Sequence, residues 1–196
     1  IDAEKPDDVV IATGARPAAD GRSGLTTRPI PGWDQAHVLT YDDVIDGTAT
    51  IGQKVLVLDE HGDRITPGIA EMLAQQGKTV EMMTRWPQFS ERVLGFSNEI
   101  SWVYGNLDAL GVKATPNSWI KEIKGKTVTL YNIYSEREWQ EDYDNVVLVT
   151  MKYSNDDLYR SLTAAGAKNV QRIGDAVAPR WVSDAIREGV RVAYAL

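Results

Sequence analysis

Two short glycine-containing runs hold the residues whose types and spacing could do chemistry. Asp8-Val-Val-Ile-Ala-Thr-Gly-Ala-Arg-Pro17 stands near the start, and Ile173-Gly-Asp-Ala-Val-Ala-Pro-Arg180 near the end. Each reads as a buried strand running into a Gly turn, and the second turn then opens a helix. A turn without a side chain lets backbone N–H groups approach a phosphate, and a helix N-terminus adds the favourable end of its dipole. The residues so placed are Ala12, Thr13, Gly14 and Ala15 from the first run, and Gly174, Asp175 and Ala176 from the second. The competing reading is that Gly14 and Gly174 only permit tight turns and that Asp175 caps the last helix. The placement of the two turns around an intact inserted domain favours the phosphate reading, because fold context is what confirms such motifs.

A third place is expected to have lost this chemistry. The strand Lys54–Asp59 is followed by Glu60-His-Gly-Asp-Arg-Ile-Thr66 where a dinucleotide site needs Gly-x-Gly-x-x-Gly. The loop is about two residues too long for that fingerprint. Asp59, Glu60 and Asp63 would repel a pyrophosphate, and the ribose-binding acid at the tip of the next strand is replaced by Thr84-Arg85. Arg85 reads as a plain exposed arginine, with a phosphate contact as the alternative. His61 has no second His or Cys at ligand spacing, so no metal site is expected. No nucleophile stands beside a base in a recognisable spacing, and the sequence offers no catalytic residue.

The elements that must position these turns follow from periodicity. Lys54–Asp59, Thr79–Thr84 and Asp144–Thr150 read as buried parallel strands. Thr66 reads as the cap of a helix ending at Gly77, and 98–110 as a second helix ended by Gly111. Residues 15–37 and 86–97 read as connections, Thr40 as the cap of a short helix, and Val112–Ala114 as a short strand. Residues 119–143 alternate with turns between them, as an antiparallel three-stranded meander does. A strand ending at Ile173 and an amphipathic helix from about 180 to 195 close the chain. The fold class is α/β: a Rossmann-like domain with a meander, residues 51–150, inserted in a partial second nucleotide-binding domain made of 1–50 and 151–196.

Composition narrows the class. The 196 residues are 43% hydrophobic and 25% charged, as in a soluble globular protein, and no apolar run spans a bilayer. The net charge of −7 argues against nucleic acid or an anionic membrane as partner. The absence of cysteine excludes disulfides, thiolate metal sites and iron–sulfur ligation by these residues. The charged start is unlike a signal peptide, lacks Met and enters a strand at once, as a fragment or processed chain begins. A cytoplasmic location is expected.

The runs Ile11-Ala-Thr-Gly-Ala-Arg16, Ile30-Pro-Gly32, Leu130-Tyr-Asn-Ile133, Val147-Leu-Val-Thr150 and Ile173 to Ala185 resemble the C-terminal region of trimethylamine dehydrogenase and its relatives. Those relatives include dimethylamine and histamine dehydrogenases and N-methylproline demethylase-type proteins, with the dienoyl-CoA reductases more distant. The resemblance covers nearly the whole chain. It implies a flavoprotein oxidoreductase whose N-terminal barrel carries FMN, followed by a 4Fe–4S cluster and two dinucleotide-fold domains. It also implies ADP or FAD in the outer domain, held along Ala12–Ala15 and Gly174–Ala176. The barrel, the cluster cysteines and the first glycine fingerprint are not in this sequence. The isolated chain is therefore expected to hold no cofactor and to be inactive alone. Its implied partners are the missing barrel and an electron-transfer flavoprotein. The alternative is a non-catalytic binding or scaffold module that docks a redox partner.

Overall fold

The computed structural model describes residues 4, 6–90, 92 and 97–196. Parts of the expected connection over 86–97, namely 91 and 93–96, lie outside the described residues. The chain divides into two compact units, 17–151 and 1–16 with 152–196.

The first unit is built on a five-stranded parallel sheet. Its strands are β3 (Val38–Thr40), β4 (Lys54–Asp59), β5 (Thr79–Thr84), β6 (Lys113–Thr115) and β10 (Asn145–Val149), in the order β3-β10-β4-β5-β6. Successive side chains of a strand point to opposite faces, and both faces here are covered, so β4 is apolar over Val55–Leu58 and β10 over Val146–Val149. Val55, Val57, Val80, Met82, Val147 and Val149 face the helices α1 (Tyr41–Ile45), α2 (Ile65–Gln75) and α3 (Ile100–Ala109). Leu56, Leu58, Met83, Val146 and Leu148 face the other way. They pack against an antiparallel sheet of β7 (Ser118–Lys124), β8 (Thr127–Asn132) and β9 (Glu138–Asp142), which contributes Trp119, Ile123 and Val128. A polar contact at the buried Glu81 joins these layers: the Tyr143 hydroxyl donates to it at 2.6 Å, and the exposed Lys113 pairs with it at 3.0 Å.

The domain boundary differs from the sequence expectation of 50/51. Residues 17–50 belong with the 17–151 unit. β3 pairs in parallel with β10, and Ile30 is buried against the meander side of the sheet. The Ile30-Pro31-Gly32 run docks on β7, where Ile123 N–H donates to the Pro31 carbonyl at 2.8 Å. Gly32 has a φ of +85°, and a Cβ there would meet the Ile123 carbonyl oxygen at 2.0 Å, so only glycine fits this approach. A polar connecting run conceals such a dock, because its contacts are made mainly by backbone.

The second unit holds a parallel pair, β1 (Val9–Ile11) with β12 (Val170–Arg172). A further pair joins β2 (Ala15–Pro17) to β11 (Lys152–Ser154). Helices α4 (Asp157–Ala164) and α5 (Val182–Ala193) complete it, with a single 3₁₀ turn at Gly174–Ala176. Among the described residues no helix is long and apolar enough to cross a membrane.

Candidate nucleotide-binding site

The two glycine turns of the sequence come together in the second unit. β1 and β12 run parallel and adjacent, and Ile173 N–H donates to the Ile11 carbonyl at 3.0 Å. Both turns therefore leave the carboxyl ends of neighbouring strands, where open α/β sheets receive ligands. Gly14 and Gly174 have φ of +75° and +61°, the left-handed region that favours glycine. No heavy atom lies within 4 Å of a Cβ built on Gly14, so that turn stands open. At Gly174 a Cβ would press on the Ala185 Cβ at 3.1 Å, which lets the turn sit close to α5.

Most polar groups of the first turn are committed internally. The Thr13 hydroxyl donates to the Asn155 carbonyl, and Asn155 N–H donates to the Gly14 carbonyl at 2.9 Å. Asn155 thus fastens the turn to the β11–α4 junction. Ala15 is drawn into β2. Arg16 pairs with Asp157 at 3.1 Å across an exposed edge, a contact worth little in water.

The second turn shows a feature that its sequence conceals. Gly174 N–H donates to Glu188 Oε2 at 2.7 Å, and Glu188 Oε1 pairs with Arg180 at 2.5 Å. The Arg180 guanidinium, followed by the Gly174 N–H, holds the Glu188 carboxyl below its ordinary range. An internal carboxylate thus takes the donor that a phosphate would want. The N–H groups of Asp175 and Ala176 head the 3₁₀ turn, and a helical turn cannot satisfy its own leading donors. Asp175 does not cap α5. Its Oδ1 accepts from Arg180 N–H at 3.1 Å, and Asp184 Oδ2 accepts from Trp181 N–H at the true start of the helix. Asp156, another residue that the sequence left unmarked, binds Arg160 at 2.9 Å and Arg172 at 2.5 Å. Arg160 holds the Asp156 carboxyl below the usual range.

In the first unit the strand order reverses beside β4, between β5 and β10, and the crevice expected at such a point is filled from within. Asp59 ends β4 fully buried. It accepts from Gly62 N–H at 3.1 Å, Thr66 Oγ1 at 2.9 Å and Thr84 Oγ1 at 3.1 Å. Burial without a cation pushes its carboxyl up to about 6, against the pull of those three donors. Glu60 is also buried and accepts from Gly24 N–H at 3.0 Å, Leu25 N–H at 2.7 Å and Ser23 Oγ at 3.3 Å. These carboxylates are not displayed as a repulsive rim. They turn inward, Asp59 on the loop's own Gly62 N–H and Glu60 on the N–H groups of the 24–25 segment. Thr66 does not cap α2, because its hydroxyl is committed to Asp59; Asp63 Oδ1 accepts from Ile65 N–H at 2.8 Å instead. Arg85 is half-buried rather than exposed, with its guanidinium 4.3 Å from the Trp86 ring centroid. Among the described residues no group of His, Cys, Asp and Glu could hold a metal ion.

A family described as the OYE-like second alpha/beta domain matches residues 39–147. Dimethylamine dehydrogenase of Hyphomicrobium sp. (strain x) is 32% identical over 94% of this chain and 28% of its own length. The solved 6-hydroxypseudooxynicotine amine oxidase from Pseudomonas geniculata N1 superposes with a TM-score of 0.91 at 30% identity, covering 96% of this chain and 29% of that one. Histamine dehydrogenase from Rhizobium sp. 4-9 superposes with a TM-score of 0.88 at 27% identity, covering 96% and 30%. The chain spans less than a third of the length of each of these proteins.

Proposed function

The chain belongs to the OYE-like second alpha/beta domain family, and we propose that it is the C-terminal nucleotide-binding-fold part of a longer FMN and 4Fe–4S oxidoreductase of the amine dehydrogenase or demethylase type. In this reading it turns over no substrate itself. The observation that carries it is the meeting of the Ala12–Gly14 and Gly174–Ala176 turns at the carboxyl ends of adjacent parallel strands. The names and extents of the relatives support the same reading.

The residues fit one edge of an ADP or FAD. The leading N–H groups of Asp175 and Ala176 and the open Gly14 turn would hold it, while Gly174 N–H, already given to Glu188, would not. ADP would supply no chemistry there, and FAD would carry electrons. The chain's own contribution is to hold the two turns in register through the β1–β12 ladder and the Asn155 and Glu188 contacts. The Rossmann-like first unit keeps the shape without a nicotinamide nucleotide, because Gly62 N–H of its strand-end loop is spent on Asp59 and Glu60 ties the loop to the Gly24 and Leu25 N–H groups. The N-terminal barrel of such a longer protein would be the chain's main partner, in the cytoplasm.

A second reading, a non-catalytic module that docks a redox partner such as an electron-transfer flavoprotein, is favoured by one observation. Val182, Ile186 and Val190 recur at helical spacing along α5 and are 77%, 63% and 50% exposed. The intact mass of the natural polypeptide separates the two. A polypeptide about as long as the relatives, purified with bound flavin, is expected; a native product of only these residues would overturn the first reading.

A further inference from the structure

Apart from both glycine turns, the 17–151 unit carries a cavity of about 420 Å³ between the 26–31 segment and the outer part of the meander. That volume lies within the range of small-molecule sites. Its walls are apolar: Ile30 and Ile120 are buried, and Tyr131 and Ile133 are half-buried beside them. Partial burial holds the Tyr131 hydroxyl above the ordinary phenol range.

The charges at the mouth are unequal in how they are spent. Lys121 donates to Glu138 at 2.5 Å, so this lining pair neutralises itself. Arg28 lines the same cavity on an exposed loop, and no acidic side chain pairs with it among the described residues. Glu136 sits at the solvated tip of the β8–β9 turn. A guanidinium is weakly hydrated and presents a planar fork that matches a carboxylate. A partly apolar hollow with an unpaired guanidinium on one side of its mouth, and the Glu136 carboxylate, likewise unpaired among the described residues, on the β8–β9 turn, is complementary to an apolar body whose carboxylate is directed to Arg28.

We propose that this cavity is a binding site for a small amphipathic monocarboxylate, with the apolar body on Ile30, Ile120, Tyr131 and Ile133 and the carboxylate on Arg28. The site stands whether or not the nucleotide reading holds, since it shares no residue with either glycine turn.

The test is a titration of the whole 196-residue chain with 4-phenylbutyrate, followed by amide chemical shifts. Saturable binding in the sub-millimolar range is expected, with shifts concentrated at Lys121, Tyr131 and Ile133. Arg28→Gln, an exposed position whose loss leaves the core intact, should weaken binding at least about tenfold. Ile133→Ser should weaken it with the Arg28 loop unchanged. The neutral analogue 4-phenylbutanol should bind at least about tenfold more weakly than the acid. No saturable shift up to about 10 mM, a dissociation constant too weak for a specific site, would overturn the proposal. So would equal binding of acid and alcohol, or an Arg28→Gln variant that binds like the wild type. A peptide ending in a free phenylalanine carboxylate that bound as tightly as 4-phenylbutyrate would contradict a small-molecule site.

Discussion

The two units bury apolar surface in different ways. In the 17–151 unit every central strand is covered on both faces, and Val55 to Leu58 have no exposed surface at all. In the other unit the sheet around the glycine turns is a parallel pair, Val10 is 40% exposed, and α5 buries only Val192 fully. Two parallel strands make a weak sheet by themselves, and their outer edges keep unpaired backbone groups. The first unit closes its own core and fills its own ligand crevice. The second has open turns and an incomplete apolar cover. In this chain the better-packed region is the one whose strand-end carboxylates, Asp59 and Glu60, are turned inward on its own donors.

Core truncation should separate the units most sharply. Leu56→Ala in β4 should cost about 2–5 kcal/mol, the usual range for a fully buried leucine. Ile186→Ser on the exposed face of α5 should change stability by no more than about 0.5 kcal/mol. Denaturant titration measures both, and comparable losses would show that the α5 face is covered.

Asp59 gives the next largest effect, and its sign follows from its raised pKa. The folded chain keeps a proton on Asp59 up to about pH 6, whereas its ordinary value is 3.8. Between those values the folded state binds more protons, so Asp59 makes stability fall as pH rises through the window. A shift of about two pH units corresponds to about 3 kcal/mol above the window. Asp59→Asn should remove that slope, be more stable than the wild type near pH 7, and lose the advantage near pH 4. Asp144 acts oppositely and at lower pH: Lys126 and the N–H groups of Lys54 and Gln53 hold it at about 2, so its contribution is lost as pH falls below about 4. An Asp59→Asn variant with the wild-type slope between pH 4 and 6 would contradict this account.

The smallest expected signal is from nicotinamide nucleotides. Calorimetric titration with NADH or NADPH should give no dissociation constant below roughly 10 μM. Tighter binding would mean that the Asp59 and Glu60 contacts open, and Arg85→Ala would then be the first variant to examine.

The parallel strands were legible because a strand buried on both faces carries a continuous apolar run, as in Val55–Leu58 and Val146–Val149. The first glycine turn was legible because it follows the apolar Val9–Ile11, whereas the strand before the second, Val170–Arg172, is half-buried and carries Gln171 and Arg172, unlike the buried strand expected there. Three features were hidden for physical reasons. The docking of 30–32 onto β7 rests on backbone bonds and on Gly32, not on an apolar pattern. The inward turn of Asp59 and Glu60 depends on donors as distant in sequence as Thr84 and Gly24. Glu188 reaches Gly174 from α5, where it reads as one more charge on an amphipathic helix. The length of the loop at 59–66 signalled a lost fingerprint but not what replaced it.

One unit closes a core of its own and the other presents a two-stranded parallel pair with exposed apolar side chains. Native-state hydrogen exchange tests this difference most directly, because it reads the opening free energy of each strand in the same molecule. In the monomeric 196-residue chain, the amides of Val10 and Ile11 should exchange faster than those of Val55 to Leu58, which should be limited by global unfolding. Equal, globally limited protection at both strands would contradict the account and show that the β1–β12 region is a complete fold.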